Sequence, residues 1–263
     1  MRLQWLAAYL LTLLPNPLLL ANPTNSPLII NDPSWPPFFY AGDPESPPGF
    51  AKEVLTHCLN KMDIAFVFKF HPIKRMRVCM EKGLIDINMY SYKPSRESFL
   101  EFGKEKIFNS TYIPFVKAGR DIKISAISDF DGLRLGHQIG LRYSKDFYHY
   151  VLQRKKLRKL DEAPNMASNI RKLIHDRIDV FVGSQASARY WINSLQFEGK
   201  IKSLDYIVKS SDYFLTLSKK SPRVGDKQDF LRQTSTCFAQ TKRDGTYCDI
   251  AKKYQVSCPK VAQ

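Results

Sequence analysis

Acidic residues are scarce in this chain: 25 Asp and Glu stand against 40 Lys and Arg, giving a formal net charge of +15 over 263 residues. That shortage excludes an acidic, cation-collecting surface and makes anions the partners its field favours. Glycine is sparse at 12 residues, which excludes collagen-like repeats and flexible glycine-serine linkers. There is no H-E-x-x-H or C-x-x-C spacing, no nucleophile elbow and no Ser-His-Asp grouping, so no metal site, cofactor site or hydrolase centre can be read from motifs. After residue 21, no apolar run is long enough to cross a bilayer.

What is present bounds the class. Hydrophobic residues make up 44% of the chain, enough to bury one large core or two modest ones. Residues 1–21, MRLQWLAAYLLTLLPNPLLLA, join one cation, a leucine-rich run and a small residue at Ala21, the layout of a secretory signal peptide cleaved near Ala21. An exported chain is expected to pair its cysteines. Cys58 and Cys79 fall on neighbouring predicted helices and are expected to bridge. Of Cys237, Cys248 and Cys258, the expected pair is Cys248 with Cys258, around the final helix.

From Pro27 onward strand and helix patterns alternate, which predicts α/β architecture. PLIIND reads as a strand, and a proline-rich loop with Trp35 follows it. GFAKEVLTHCLNKM places Phe50, Val54, Leu55, Cys58, Leu59 and Met62 on one helical face. IAFVFKF reads as a strand, HPIKRMRVCMEKG as a short helix stopped at Gly83, and IDINMY as the next strand, which delivers the chain to YSYKPSRESFLEF. The pattern restarts at FDGLRLGHQIG. A helix from about Ser144, a helix capped by Asn165, the strand IDVFVG, the strand YFLTLSKKSP and two closing helices complete it. GLID and RIDV occupy equivalent helix-to-strand turns in the two halves.

In this order WPPFFY, GFAKEVL, EKGLIDINMYSYKPSRESFLEF, DFDGLRLGHQIG, DRIDVFVG and KRDGTYCDIAKKY resemble the bacterial extracellular solute-binding proteins of family 3, from about Pro27 to Tyr254. The resemblance implies a type II periplasmic-binding fold: two α/β lobes joined by a two-strand hinge, with a ligand cleft between them. Lobe 1 would hold 27–108 and 214–263. Lobe 2 would hold 109–213, including both hinge crossings, near Phe108–Thr111 and Lys209–Tyr213. The location implied is the periplasm, the state a monomer, the ligand a small molecule, and the partner an inner-membrane ABC permease or a membrane sensor.

The resemblance also nominates site residues. Arg96 stands where the family's arginine pairs with a ligand carboxylate, a task suited to a planar, permanently charged guanidinium. Ser91 stands where an assisting hydroxyl is usual, and Trp35 where a ring stacks on the ligand. In lobe 2 the chain departs from the amino acid binders. Ser184 replaces the aspartate that holds an α-ammonium, and GLRYS brings Leu141, Arg142 and Tyr143 into a turn normally built of small residues. Together with Arg75, Lys93 and Gln138, these replacements point to an anionic or carboxylate-bearing solute. The alternative for Arg96 is a surface ion pair with Glu97 or Glu101.

Two other classes were weighed. The basic run LQRKKLRKLDE lacks aromatics at base-stacking spacing and reads as a solvated face, so no nucleic acid partner is expected. A periplasmic enzyme resembling cyclohexadienyl dehydratase would use the same scaffold and need an acid or base in the cleft, for which Asp32, His71 and His137 are the candidates.

Overall fold

The structure is a computed structural model that describes residues 26–41 and 47–258. The expected signal peptide lies outside them. Among the described residues no helix is long and apolar enough to cross a membrane.

Two copies of one winding pattern build the fold. In the first, β1 (Leu28–Asn31), α1 (Phe50–Lys61), β2 (Phe66–Lys69), α2 (Ile73–Glu81) and β3 (Ile87–Ser91) give three parallel strands in the order β2-β1-β3. In the second, β5 (Leu135–Gln138), α3 (Lys145–Lys156), β6 (Leu160–Ala163), α4 (Met166–Ile174) and β7 (Val180–Ser184) give β6-β5-β7. Two long strands, β4 (Leu100–Lys117) and β9 (Lys209–Ser218), join the sets: β3 pairs antiparallel with β9, β9 with β4, and β4 with β7. Between the sets Phe108 faces Tyr213, Asn109 faces Asp212, Ser110 faces Ser211, Thr111 faces Ser210 and Tyr112 faces Lys209. β8 (Ile201–Ser203) is a short addition along β4, and α5 (Gln185–Ser194) follows β7 directly. The chain ends with α6 (Lys227–Arg243) and α7 (Thr246–Lys253), which return to the first set.

The equivalent turns seen in the sequence carry the same clasp. The Ile29 amide donates to the Asp86 carboxylate at 2.7 Å while the Asp86 amide donates to the Ile29 carbonyl; the Arg134 amide and Asp179 exchange the same two bonds. Each clasp fixes the first strand of a set against the third and satisfies a backbone donor at the strand's start. Gly83 closes α2 as expected. Its φ is +70°, and a Cβ there would come within 2.1 Å of the Lys220 carbonyl, so only glycine fits. Asn165 caps α4, its side chain accepting from the Ser168 amide at 2.9 Å.

Packing separates along the same lines. Phe50, Val54, Leu55, Cys58 and Leu59 of α1 share a core with Phe230, Leu231 and Phe238 of α6 and Tyr247, Ile250 and Ala251 of α7. Met76 and Met80 of α2 pack with Ile85, Phe99 and Leu100. In the second set α3 and α4 likewise contribute to different clusters.

This winding overturns the expected bridge between Cys58 and Cys79. In a β2-β1-β3 order the two crossovers run in opposite directions, so right-handed connections put α1 and α2 on opposite faces of the sheet. Cys58 instead pairs with Cys237 of α6, on its own face, with Cα atoms 5.8 Å apart. Cys248 pairs with Cys258 as expected, and Cys79 is a free, half-buried thiol. Alkylation in denaturant without reductant is expected to label one cysteine, found by peptide mapping at Cys79. Cys79→Ser is expected to lower the Tm by no more than about 2–4 °C, the equivalent of roughly 1 kcal/mol in a chain this size. A second labelled cysteine would contradict the pairing.

Candidate functional site

The carboxyl ends of the strands in both sets open onto one cavity of about 630 Å³, the place where open α/β sheets hold ligands. Asn31 ends β1, Ser91 ends β3, Gln138 ends β5 and Ser184 ends β7, and all four line it. The two walls meet at the lip: a Cβ built on Gly140, in the turn after β5, would lie 3.4 Å from Lys74 Cγ and 3.6 Å from Ile73 Cγ2 of α2.

Arg96 stands at the centre of the first wall. The turn Pro94–Arg96 follows β3 and folds the side chain back, so that Nη1 donates to the Ser91 carbonyl and, at 3.1 Å, to Ser91 Oγ. The guanidinium lies 4.4 Å above the Tyr90 ring. It pairs with neither Glu97 nor Glu101; Glu97 accepts from Tyr92 and Glu101 from Gln228. Burial is the main cause that lowers its pKa, opposed by Tyr90 and Tyr213.

Lys209 joins it, from the end of β9. Its ammonium is 3.5 Å from Ser91 Oγ and 3.3 Å from the Tyr213 hydroxyl, and it lies over the rings of Tyr112 and Tyr213. Burial first, then Lys93 and Arg96, push its pKa down to about 8. Lys93 is lowered in the same way, by burial, Arg96 and Arg142. Arg142 comes from the opposite wall, its guanidinium 5.4 Å from the Tyr148 ring. Among the described residues no carboxylate is within ion-pair distance of any of these four cations. Glu162, an acid on the cavity wall, is already held by Lys155 at 2.6 Å. Four uncompensated positive charges around one space attract negative charge and reject cations.

Of the residues nominated from sequence, the cavity gathers Trp35, Ser91, Arg96, Gln138, Arg142 and Ser184. Trp35 has one edge in the cavity and also packs against Phe38, Phe108 and Tyr213, with centroids 4.9 to 5.3 Å away. Ser184 exchanges a 3.0 Å hydrogen bond with Ser110 across the joining strands. Two nominated residues do not line the cavity. Arg75 is exposed and lies outside the cavity, because the wall is formed by Ile73, Lys74, Met76, Arg77 and Val78, and Arg75 lies roughly 200° round the helix from residue 73 or 77. Tyr143 is 1% exposed, with its hydroxyl 3.1 Å from His137 Nδ1 and its ring against Phe147 and Tyr112. It belongs to the core beneath the turn.

Lys209 was missed, and of the two arginines of α2, which cannot both face the cavity, Arg77 rather than Arg75 lines it. For Lys209 there was a signal: in KSSDYFLTLS it has the same parity as Tyr213, Leu215 and Leu217, which are buried. A lysine aligned with a buried strand face is rarely idle.

The candidates for acid or base chemistry are otherwise engaged. Asp32 lies 2.7 Å from the Lys52 ammonium, its pKa raised chiefly by burial. Burial pushes His137 down to about 4. His71 Nδ1 is 3.1 Å from the Lys69 carbonyl. Among the described residues no group of three or more His, Cys, Asp or Glu side chains is arranged to hold a metal ion.

Solved structures of the same architecture are numerous. A histidine kinase sensor domain similar to periplasmic binding proteins superposes with a TM-score of 0.71 at 16% identity, covering 88% of this chain and 96% of that one. The substrate-binding protein of an ABC uptake transporter from Streptococcus pneumoniae, with bound histidine, gives 0.72 at 18% identity, covering 89% and 94%. An ancestral arginine-binding protein bound to arginine gives 0.68 at 20% identity, covering 86% and 96%. At these identities the likeness shows the fold, that of the type II periplasmic binding proteins. No curated protein sequence matches the chain significantly. The profile of the bacterial extracellular solute-binding proteins, family 3, matches residues 28–257, and the chain belongs to that family.

Proposed function

We propose that this chain is an exported, periplasmic solute-binding protein that closes on a small organic anion carrying no ammonium group. Its lobes are 27–108 with 214–263, and 109–213, hinged on the paired segments of β4 and β9. It passes its cargo to an ABC-type permease or reports it to a membrane receptor, the second role being suggested by the likeness to a histidine kinase sensor domain. The observation that carries this reading is the set of four cations, Lys93, Arg96, Arg142 and Lys209, facing one cavity with no carboxylate among the described residues within ion-pair distance of any of them. Relatives of like fold hold arginine, glutamine, histidine or glutamate. Here Ser184 offers a hydroxyl where the family resemblance leads one to expect an aspartate, and a desolvated ammonium beside it would have no counter-charge.

Binding rather than turnover is supported by the engagement of Asp32 with Lys52, of His71 Nδ1 with the Lys69 carbonyl and of His137 Nδ1 with the Tyr143 hydroxyl. The test is a melting-shift panel. Organic acids without an amino group are expected to raise the Tm dose-dependently, by roughly 5–10 °C at a hundred times Kd. Arginine and histidine are expected to leave it unchanged. Equal stabilisation by either zwitterion would overturn the proposal.

A further inference from the structure

The cavity has a second character, apart from its cations. It is larger than a carboxylate of a few atoms needs, falling within the range that holds drug-sized ligands. Away from Arg96 both walls carry apolar side chains between their cations: Ile73, Met76 and Val78 come from α2 with Lys74 and Arg77, and Leu141, Tyr148 and Leu152 from the turn and helix after β5 with Arg142 and Lys155. Three of these apolar side chains are left in water. Ile73 and Val78 are each 48% exposed and Leu152 is 39% exposed. In so strongly basic a chain, large apolar side chains from two elements gathered at one mouth mark a surface that something covers.

The cations are arranged to serve the same occupant. Arg142 lies over Tyr148, and Arg77, tied to Glu81 at 2.6 Å, lies over Phe99, so these two charges are each backed by a ring of the cavity wall, while Lys155 is paired with Glu162. The uncompensated charge is concentrated further in, where Arg96 and Lys209 meet at Ser91. The space therefore has a cationic end and an apolar end.

Resting on the anion-binding reading, we propose that the ligand is an amphiphilic organic anion: a negatively charged head seated at Ser91, Arg96 and Lys209, and an aliphatic or aryl body lying between α2 and α3 at the mouth. Charge complementarity selects the head. The facing apolar side chains select the body, and the burial of Ile73, Val78 and Leu152 beneath it supplies the affinity that a bare carboxylate lacks.

The experiment is calorimetric titration of the full exported chain with a homologous series: acetate, butyrate, hexanoate and octanoate. Affinity is expected to rise about fourfold per added methylene, the value of one CH₂ removed from water. Octyltrimethylammonium, with the same tail and the opposite head, is expected not to bind. Leu152→Ser and Val78→Ser, both at exposed positions, are expected to flatten the rise with chain length, weakening octanoate far more than butyrate. Arg96-dependent binding of acetate and butyrate with no gain from chain length would overturn the amphiphile and leave the anion-binding reading standing. Binding of octyltrimethylammonium as tight as octanoate would overturn the charged anchor. Failure of every carboxylate in the series, with or without Arg96, would overturn both readings.

Discussion

Arg96→Ala is expected to weaken binding of an organic anion by about 10²–10³-fold while leaving the unliganded protein folded. Truncating one member of a buried, hydrogen-bonded charge pair costs roughly 2–5 kcal/mol, and each 1.4 kcal/mol is a factor of ten. Here the loss falls on the ligand, because among the described residues Arg96 has no carboxylate partner and its hydrogen bonds go to Ser91 at the end of β3. What the fold loses is the contact with Tyr90, 4.4 Å from the guanidinium. What it gains is relief from a charge whose pKa is lowered first of all by burial. These oppose one another, so the apo Tm is expected to move little. Arg96→Lys is expected to recover only part of the affinity, since an ammonium cannot present two parallel donors to a carboxylate. Titration calorimetry and melting curves on the three proteins decide the matter: undiminished affinity in Arg96→Ala would remove the residue from the site.

The reading of the fold from sequence succeeded where one residue type had one physical use. Gly83 was legible as a helix stop because a positive φ excludes side chains, and Asn165 as a cap because its carboxamide meets an unsatisfied amide. The apolar face of α1 was legible from its period. β6, with the sequence LDEA, was not, since a short edge strand has neither alternation nor a long apolar run to show. β8, three residues beside β4, escaped for the same reason. The Cys58 partner was missed because local helix proximity says nothing about which face of a sheet each helix covers. That depends on strand order, which sequence does not display.

The site was read less well than the fold, again for geometric reasons. Arg96 was nominated because it stands where the family's arginine follows the strand, and its side chain lines the cavity. Arg75 and Arg77 could not be told apart without knowing how α2 is rotated, and the rotation is set by Met76 and Met80 reaching the core. Tyr143 was nominated with Leu141 and Arg142 because GLRYS stands where the resemblance implies a ligand-cradling turn. In the structure Leu141 and Arg142 line the cavity, whereas the Tyr143 ring turns into the core beside His137.

Lys209→Met is expected to move stability and binding in opposite directions. The ammonium is buried beside Lys93 and Arg96 with only Ser91 and Tyr213 hydroxyls as partners, and its pKa is pushed down to about 8. A lysine whose folded pKa lies below its unfolded value destabilises the fold while it is charged. That cost is fully present below pH 8 and diminishes as pH rises from 8 toward the ordinary lysine value, because there the unfolded chain binds the proton and the folded one does not. Methionine keeps the length and removes the charge, so the apo Tm is expected to rise by several degrees at pH 7 and by less at pH 9.5. An anion reverses the sign, since it stabilises the charged form and pulls the pKa back up. Affinity is therefore expected to be constant below pH 8 and to fall about tenfold per unit above it, as binding must then take up a proton. In Lys209→Met the affinity at pH 7 is expected to be about 10–10²-fold weaker and to lose the fall above pH 8 that titration of Lys209 supplies. A lower apo Tm at pH 7, or an undiminished fall above pH 8 in the variant, would mean that Lys209 is not the buried charge held in reserve for the ligand.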